Sequence, residues 1–359
     1  MTKITKKQQD ILQYMFLIFL MCLTTYVVST TLDIKLIPHI LKIVDLKYLI
    51  YGILLILLYI IFEAIILQII INSIQNVKVK FLGIKIATMG LYYNLVTPFA
   101  SGSQPIQIYA LTGYGIDLSK SVAIITNKTI LFQVVVTIYS GYLTLVNLNL
   151  LKMEMPKIMM LVFVGMIMNI FMIFMGVLLL FSPEKIKIIA EFFINKLSKF
   201  KIFKNLSEQK YEINKYIDDY NYSIKLFIKN IKVLIISLIL TVIQLTIFFS
   251  IAYCIYRAFS LNGLSYWHIL TLQVFLYIAV SPIPTPGNIG ANEIVFWTIF
   301  SNVFPKELMG YAVFLYGGFV YYTIVIIAGI FTIYTHYNLK KYKNCLLYTS
   351  DAADDSTNV

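Results

Sequence analysis

Long apolar runs without a charged residue constrain this chain most, because about 20 consecutive apolar residues can cross a bilayer as a helix. Only 13% of the residues are charged and the mean hydropathy is +0.81, values that exclude a soluble globular domain. Two further apolar runs, 48–75 and 121–151, carry one ionisable residue each, Glu63 and Lys128. The sequence therefore predicts an all-α polytopic membrane protein with about six full spans. The four uncharged runs are Ile11–Thr31, Ile158–Ser182, Val233–Tyr256 and Leu308–Tyr334.

The distribution of lysine predicts the orientation, because positively charged loops remain on the cytoplasmic side. Lysines cluster near the N-terminus, in 78–85, in 184–232 and in 340–343. In 183–232 they alternate with apolar residues, which predicts amphipathic helices on an anionic leaflet. Heavy use of Ile, Lys, Asn and Tyr is typical of an AT-rich bacterial genome. We therefore expect a multi-pass protein of the bacterial cell membrane with both termini on the cytoplasmic side. Two membrane halves, 1–182 and 233–344, would be joined by the basic segment 183–232.

Two proline- and glycine-rich breaks do not fit into full spans. Stretch 86–112 contains "VTPFASGSQP" and has both predicted ends inside, whereas 264–304 contains "VSPIPTPGNIG" and has both ends outside. Because both ends of each stretch lie on the same side of the membrane, the sequence predicts two broken re-entrant hairpins in inverted arrangement. A tilted full hairpin remains an alternative for 264–304. Chance kinks are the alternative to an internal repeat. Because irregular backbone at membrane depth must be covered by protein or line a wet cavity, we expect the breaks to line a cavity.

The two breaks also carry a family resemblance. "NLVTPFASGSQPIQIY" (94–109) and "PTPGNIGANE" (284–293) resemble motifs of the flippase-like family, which comprises the transmembrane region of lysylphosphatidylglycerol synthases and its stand-alone relatives. The sequence departs from the family pattern at three places. Asn288 and Ser103 stand where glycine is usual, and Asn127–Lys128 replaces an acidic–basic pair, which puts a charge relay there in doubt.

The resemblance implies a phospholipid-handling membrane protein that flips phosphatidylglycerol or its lysyl ester between leaflets, with a role in resistance to cationic peptides. One alternative is the membrane portion of a truncated phosphatidylglycerol lysyltransferase, which would need lysyl-tRNA as a partner only if a C-terminal domain is missing. Another is a carrier of small solutes or ions. Enzymatic activity stays open at this point, and the resemblance leaves a homodimer open.

Ionisable residues within membrane segments are functional candidates because they are costly to place there. Lys128 is predicted to bind a lipid phosphate. Glu293 or Glu63 would hold a cationic lysyl headgroup or pair with Lys128 when the site is empty. The structural alternatives are that Lys128 reaches back to the cytoplasmic interface and that Glu63 only bonds a neighbouring helix.

Uncharged residues of the breaks complete the predicted site. Amide side chains suit headgroup oxygens or, alternatively, cap the broken backbone, and glycines allow close backbone approach. We find no nucleotide-binding loop, metal-ligand spacing or nucleophile–base pair, so no cofactor, metal or catalytic residue is predicted. These uncharged candidates are Asn94, Gly102, Gln104, Gln107, Gly287 and Gly290.

The last residues are set apart from the fold. "CLLYTSDAAD" (345–354) resembles the in-frame translation of a sequencing adapter. We therefore treat 345–359 as an artefact. The predicted domain is a single transmembrane flippase-like unit, 1–344.

Overall fold

The computed structural model describes residues 36–97, 101–181, 188, 210–283 and 285–356. The predicted span Ile11–Thr31, the N-terminal lysines, Pro98, Pro284 and most of the basic joining segment lie outside these residues. All regular structure in the described part is helical. The α-helices are α1 (Ile37–Ile43), α2 (Leu46–Ile74), α3 (Leu82–Val96), α4 (Ser103–Gly113), α5 (Leu118–Val146), α6 (Leu148–Glu154), α7 (Pro156–Phe181), α8 (Lys210–Lys229), α9 (Ile231–Ala258), α10 (Tyr266–Val280), α11 (Ala291–Phe300), α12 (Lys306–Gly317) and α13 (Ile324–Ser356).

Five helical segments of the described part are long and apolar enough to cross a membrane. They are α2, α5, α9, residues Pro156–Val177 of α7, and Lys306–Tyr342, which joins α12 to α13 through a π-helix at Gly318–Thr323. The 29 residues of α2 rise about 43 Å, which exceeds the roughly 30 Å of a hydrocarbon core. These segments coincide with the five predicted spans after the first. The prediction of an all-α polytopic membrane protein is confirmed.

The two predicted breaks each divide a pair of short helices. Helices α3 and α10 have 15 residues each, and their partners α4 and α11 have 11 and 10. At 1.5 Å per residue these helices rise only about 15–22 Å, too little to cross the hydrocarbon core singly. The similar lengths fit the proposed internal repeat. The depth of the pairs in a bilayer and their inverted arrangement stay predictions.

The second break contains left-handed backbone. A 3₁₀ turn occupies Pro286–Asn288, with φ values of 56° at Gly287 and 57° at Asn288, and Gly290 has φ 79°. Asparagine is among the non-glycine residues that most readily adopt this conformation. The replacement of a usual family glycine by Asn288 is therefore compatible with the turn.

Helix α2 lies at the centre of the packing, against α3, α5 and α9. Helix α8, in the basic joining segment, is amphipathic and packs mainly on α5, where it buries Ile224 and Phe227. Its apolar face is thus occupied by protein, and the exposed face with Lys215 and Lys225 is the part left to meet an anionic leaflet. Helix α13 extends through residues 345–356, and nothing further is derived from those turns.

Candidate functional site

A cavity of about 560 Å³ lies where the two breaks meet. Its size is within the range of small-molecule sites, roughly 300–1,000 Å³. The first hairpin contributes Asn94, Ser103 and Gln104, and the second break contributes Gly287 and Asn288. Further walls come from α2, α5, α7, α9, α10 and the last span. The helix ends on both sides of the first break and the backbone of the second break therefore border one shared cavity, whereas residues 98–100 of the first break lie outside the described part.

Close backbone contact joins the two hairpins at Gly287. A Cβ atom at this position would lie 2.7 Å from the carbonyl oxygen of Leu95 and 2.5 Å from the ring of Tyr321. Any larger residue would therefore push the second break away from the end of α3. Gly287 is required here both by this contact and by its positive φ.

The two ionisable residues of the central spans form an ion pair in the cavity wall. Lys128 Nζ contacts Glu63 Oε1, and Gln244 Nε2 donates a 2.9 Å hydrogen bond to Glu63 Oε2. Glu63 is only 3% exposed, whereas the Lys128 side chain is 18% exposed. Three helices, α2, α5 and α9, thus converge on one buried carboxylate. The two residues that were predicted to pair are therefore in contact, and their role towards a ligand stays a prediction.

Two predicted glutamines of α4 occupy different environments. Gln104 lines the cavity and is exposed. Gln107 is buried, donates from Nε2 to the Ile86 carbonyl at 3.2 Å, and packs directly on Gly90. It therefore ties α4 to α3 and is not among the cavity-lining residues.

Gly102 and Gly290 also have structural positions next to the cavity. The Gly102 N–H donates to Thr97 Oγ1 at 2.9 Å, and a Cβ at Gly102 would lie 2.7 Å from Thr97 Cγ2. Gly290 precedes α11 with a positive φ. Neither glycine belongs to the lining, so both shape the breaks behind it.

Glu293 lies at the start of α11 and outside the cavity lining. Its Oε2 atom accepts a 2.6 Å hydrogen bond from the Gly290 N–H, in the arrangement of a capping residue. Its other oxygen lies beside Gly317, close to the π-helix of the last span. The structure therefore gives Glu293 a helix-capping contact behind the cavity lining.

Several uncharged cavity residues are absent from the predicted site. Asn169 Nδ2 donates to the Gly165 carbonyl at 2.7 Å, and its Oδ1 accepts from Gln133 Nε2 at 2.5 Å. Both residues line the cavity. An amide in the middle of an uncharged span is itself a signal, because a polar group in a membrane needs a partner. Gln244 carries the same signal. Tyr59, Tyr277 and Tyr316 also line the cavity.

The cavity combines a cationic side chain, amide donors and a helix N-terminus. Lys128 supplies a cation, and Asn94, Gln104 and Gln133 supply amide donors. Helix α4 begins at the cavity with Ser103, so its positive dipole end points to the same space. Among the described residues, no group of three or more His, Cys, Asp and Glu side chains could hold a metal ion.

The comparisons with known proteins agree with the resemblance at the breaks. The family model described as "Lysylphosphatidylglycerol synthase TM region" matches residues 11–328, which include both breaks and both members of the ion pair. No curated protein and no solved structure matches the chain. Because the match covers most of the sequence, its membrane spans and its relation to membrane lipids follow from the family. The chain belongs to the family of the lysylphosphatidylglycerol synthase transmembrane region.

Proposed function

We propose that the protein carries phospholipid headgroups between the two leaflets of the bacterial cell membrane, with phosphatidylglycerol or its lysyl ester as substrate. The observation that supports this most is the shared cavity, which is lined by the Lys128–Glu63 pair and by residues of both broken helix pairs. A cavity bordered by two broken helix pairs is typical of transporters whose substrate binds near the bilayer midplane.

The ion pair offers a mechanism of partner exchange. In the empty site, Glu63 compensates the charge of Lys128, which keeps the buried groups electrically balanced. A lipid phosphate entering the cavity competes with Glu63 for the ammonium, and charge-assisted bonds to phosphate are strong in a low-dielectric site. The released Glu63 carboxylate is then available to the lysyl ammonium of an aminoacylated headgroup. Binding of lysyl-phosphatidylglycerol would therefore leave neither protein charge without a partner.

The uncharged cavity residues would hold the rest of the headgroup. Asn94 and Gln104 lie at the two sides of the first break and point donors and acceptors to the same space. Glycerol hydroxyls and phosphate oxygens match these groups. The positive end of α4 adds a further attraction for the phosphate.

Lipid transfer in proteoliposomes tests the proposal. We expect the purified protein to move fluorescent phosphatidylglycerol and lysyl-phosphatidylglycerol between leaflets, and Lys128→Ala to abolish this transfer. Lys120→Ala is the matched control, because Lys120 lies on the same helix in an exposed pair with Asp117. We expect it to transfer lipid like the unchanged protein. A correctly folded protein that moves none of several lipids would contradict the proposal.

A second candidate function is supported by the family itself, which is named for a synthase. The chain would then be the membrane portion of a phosphatidylglycerol lysyltransferase, and lysyl-tRNA would be the lysine donor. The intact genomic locus tests this. A continuous reading frame with a soluble transferase domain, and synthesis of lysyl-phosphatidylglycerol by its product, would support the candidate. A stop codon near 344 would contradict it.

A further inference from the structure

A second hollow of about 240 Å³ lies beside the cavity, between α4, α5 and α7. Its walls are mainly aliphatic or thioether side chains, including Ile108, Ile125, Ile130 and Met175. We call it the side groove. It shares Gln104, Thr129, Gln133 and Met172 with the cavity, so the two spaces adjoin along a common wall.

The side groove lies on the outer face of the helix bundle. Helix α7 is the most exposed of the candidate spans, with only 17% of its central window buried. Met172 and Met175, which line the groove, are 54% and 42% exposed. In a membrane these side chains meet lipid, so the groove connects the cavity with the acyl region of the bilayer.

Polarity changes along this connection in one direction. Lys128 and Glu63 lie in the cavity, and the residues at the junction are the uncharged Gln104, Thr129 and Gln133. Beyond the junction the lining is apolar apart from Thr126. A phospholipid shows the same order of chemistry, from a charged phosphate through ester groups to an acyl chain.

The groove is closed at one end by close helix contact. A Cβ atom at Gly176 would lie 2.9 Å from Ile130 Cγ1, so α5 and α7 approach each other closely there. This contact gives the groove a floor and limits how much of a chain fits into it. A substitution of Gly176 would separate the helices, and it is therefore a poor test of occupancy.

We infer that the side groove binds one acyl chain of the phospholipid whose headgroup enters the cavity. The headgroup assignment rests on the proposed function. The occupant of the groove is argued from the wall that it shares with the cavity and from its mainly apolar lining. The lipid therefore enters and leaves sideways between α4, α5 and α7. Its acyl chain remains in hydrocarbon surroundings while its headgroup is in the protein.

Photolabelling tests the occupancy directly. The probe is phosphatidylglycerol with a diazirine at the end of one acyl chain, in vesicles with the full-length protein, and the labelled residues are mapped by mass spectrometry. We expect label at Met175 and Ile130 that falls when unlabelled phosphatidylglycerol is added, and falls less with an equal amount of phosphatidylcholine. Label at Phe174, which lines neither space and is exposed on the same helix, should fall equally with both lipids because both only dilute the probe.

Two tryptophan variants test the consequence for transport. Met175→Trp puts an indole ring where the acyl chain would lie, and we expect roughly tenfold slower lipid transfer because the chain then binds less well. Phe174→Trp is the matched control and should transfer lipid at the unchanged rate.

The outcomes separate this inference from the proposed function. If the protein transfers lipid but Met175 and Phe174 are labelled and competed alike, the groove assignment is wrong and the transfer proposal stands. If the label at Met175 is competed by phosphatidylglycerol but no lipid is transferred, the groove assignment stands and the transfer proposal fails.

Discussion

Removing the cation of the buried ion pair should destabilise the protein by more than removing its anion. Glu63 is 3% exposed and bonded to Gln244, whereas Lys128 also faces the cavity, where water can reach it. Lys128→Met leaves a buried carboxylate without its cation, a change that costs about 3–5 kcal/mol. The remaining hydrogen bond from Gln244 offsets about 1 kcal/mol. We therefore expect a net loss of about 2–4 kcal/mol, or roughly 3–5 °C in apparent melting temperature for a chain of this length.

The double variant Lys128→Met/Glu63→Gln should recover most of this stability, because no buried charge is then left unpaired. Glu63→Gln alone should cost less than Lys128→Met. The Lys120→Met control breaks an exposed pair and should change stability by about 1 kcal/mol or less.

Thermal unfolding with a thiol-reactive dye measures these effects. Cys254 is a buried free thiol on α9 and becomes reactive when the helices separate. Replacing Cys22 and Cys345 by serine leaves Cys254 as the reporter. Equal melting temperatures for Lys128→Met and Lys120→Met would refute the reasoning, since the central pair would then behave as a surface pair.

Three further outcomes follow from other contacts. Gly287→Ala should destabilise the protein by about 1–3 kcal/mol, because it adds a Cβ against Leu95 and strains a positive φ. Gly310→Ala is the control, because a Cβ there meets nothing within 4 Å. Equal melting temperatures for the two variants would contradict the close contact. Glu293→Ala should lower the free energy of unfolding by about 1 kcal/mol through loss of the cap, and the variant should still transfer lipid in vesicles. A folded variant that transfers no lipid would show that Glu293 takes part in transport. Lys225→Cys, on the exposed face of α8, should react with a membrane-impermeant thiol reagent only after the cells are permeabilised. Labelling in intact cells would contradict the predicted orientation.

Most of the helical framework could be predicted from the sequence, because membrane spans are encoded locally. Runs such as 233–256 need only length and hydropathy to be recognised, and they correspond to helices such as α9. The breaks were equally visible, since proline and glycine change the backbone wherever they stand. Their convergence on one cavity follows from packing and was available only as an expectation.

The structure places some of the predicted site residues in the wall of one cavity and others outside it, and their binding roles stay predictions. Glu63 and Lys128 stood out because a charge within an apolar run is rare, and the structure brings them together. Glu293 stood out for the same reason. A carboxylate in the first turn of a helix can, however, accept a hydrogen bond from the backbone N–H that precedes the helix, and Glu293 caps α11 in this way. Asn169 carries no charge and was overlooked, although it lines the cavity. Which face of a helix meets the cavity depends on tertiary contacts.

The π-helix at Gly318–Thr323 determines which side chains of the last span face the cavity on either side of it. Tyr316, Val320 and Ile324 are spaced by four residues and all line the cavity. In a regular α-helix four residues turn by about 400°, which is about 40° more than a full rotation. The side chains of Tyr316 and Ile324 would therefore point in directions that differ by roughly 80°. The wider turn counteracts this drift. Deleting one residue there would rotate Tyr316 against Ile324 by about 100°, so the number of residues in this turn matters independently of their side chains.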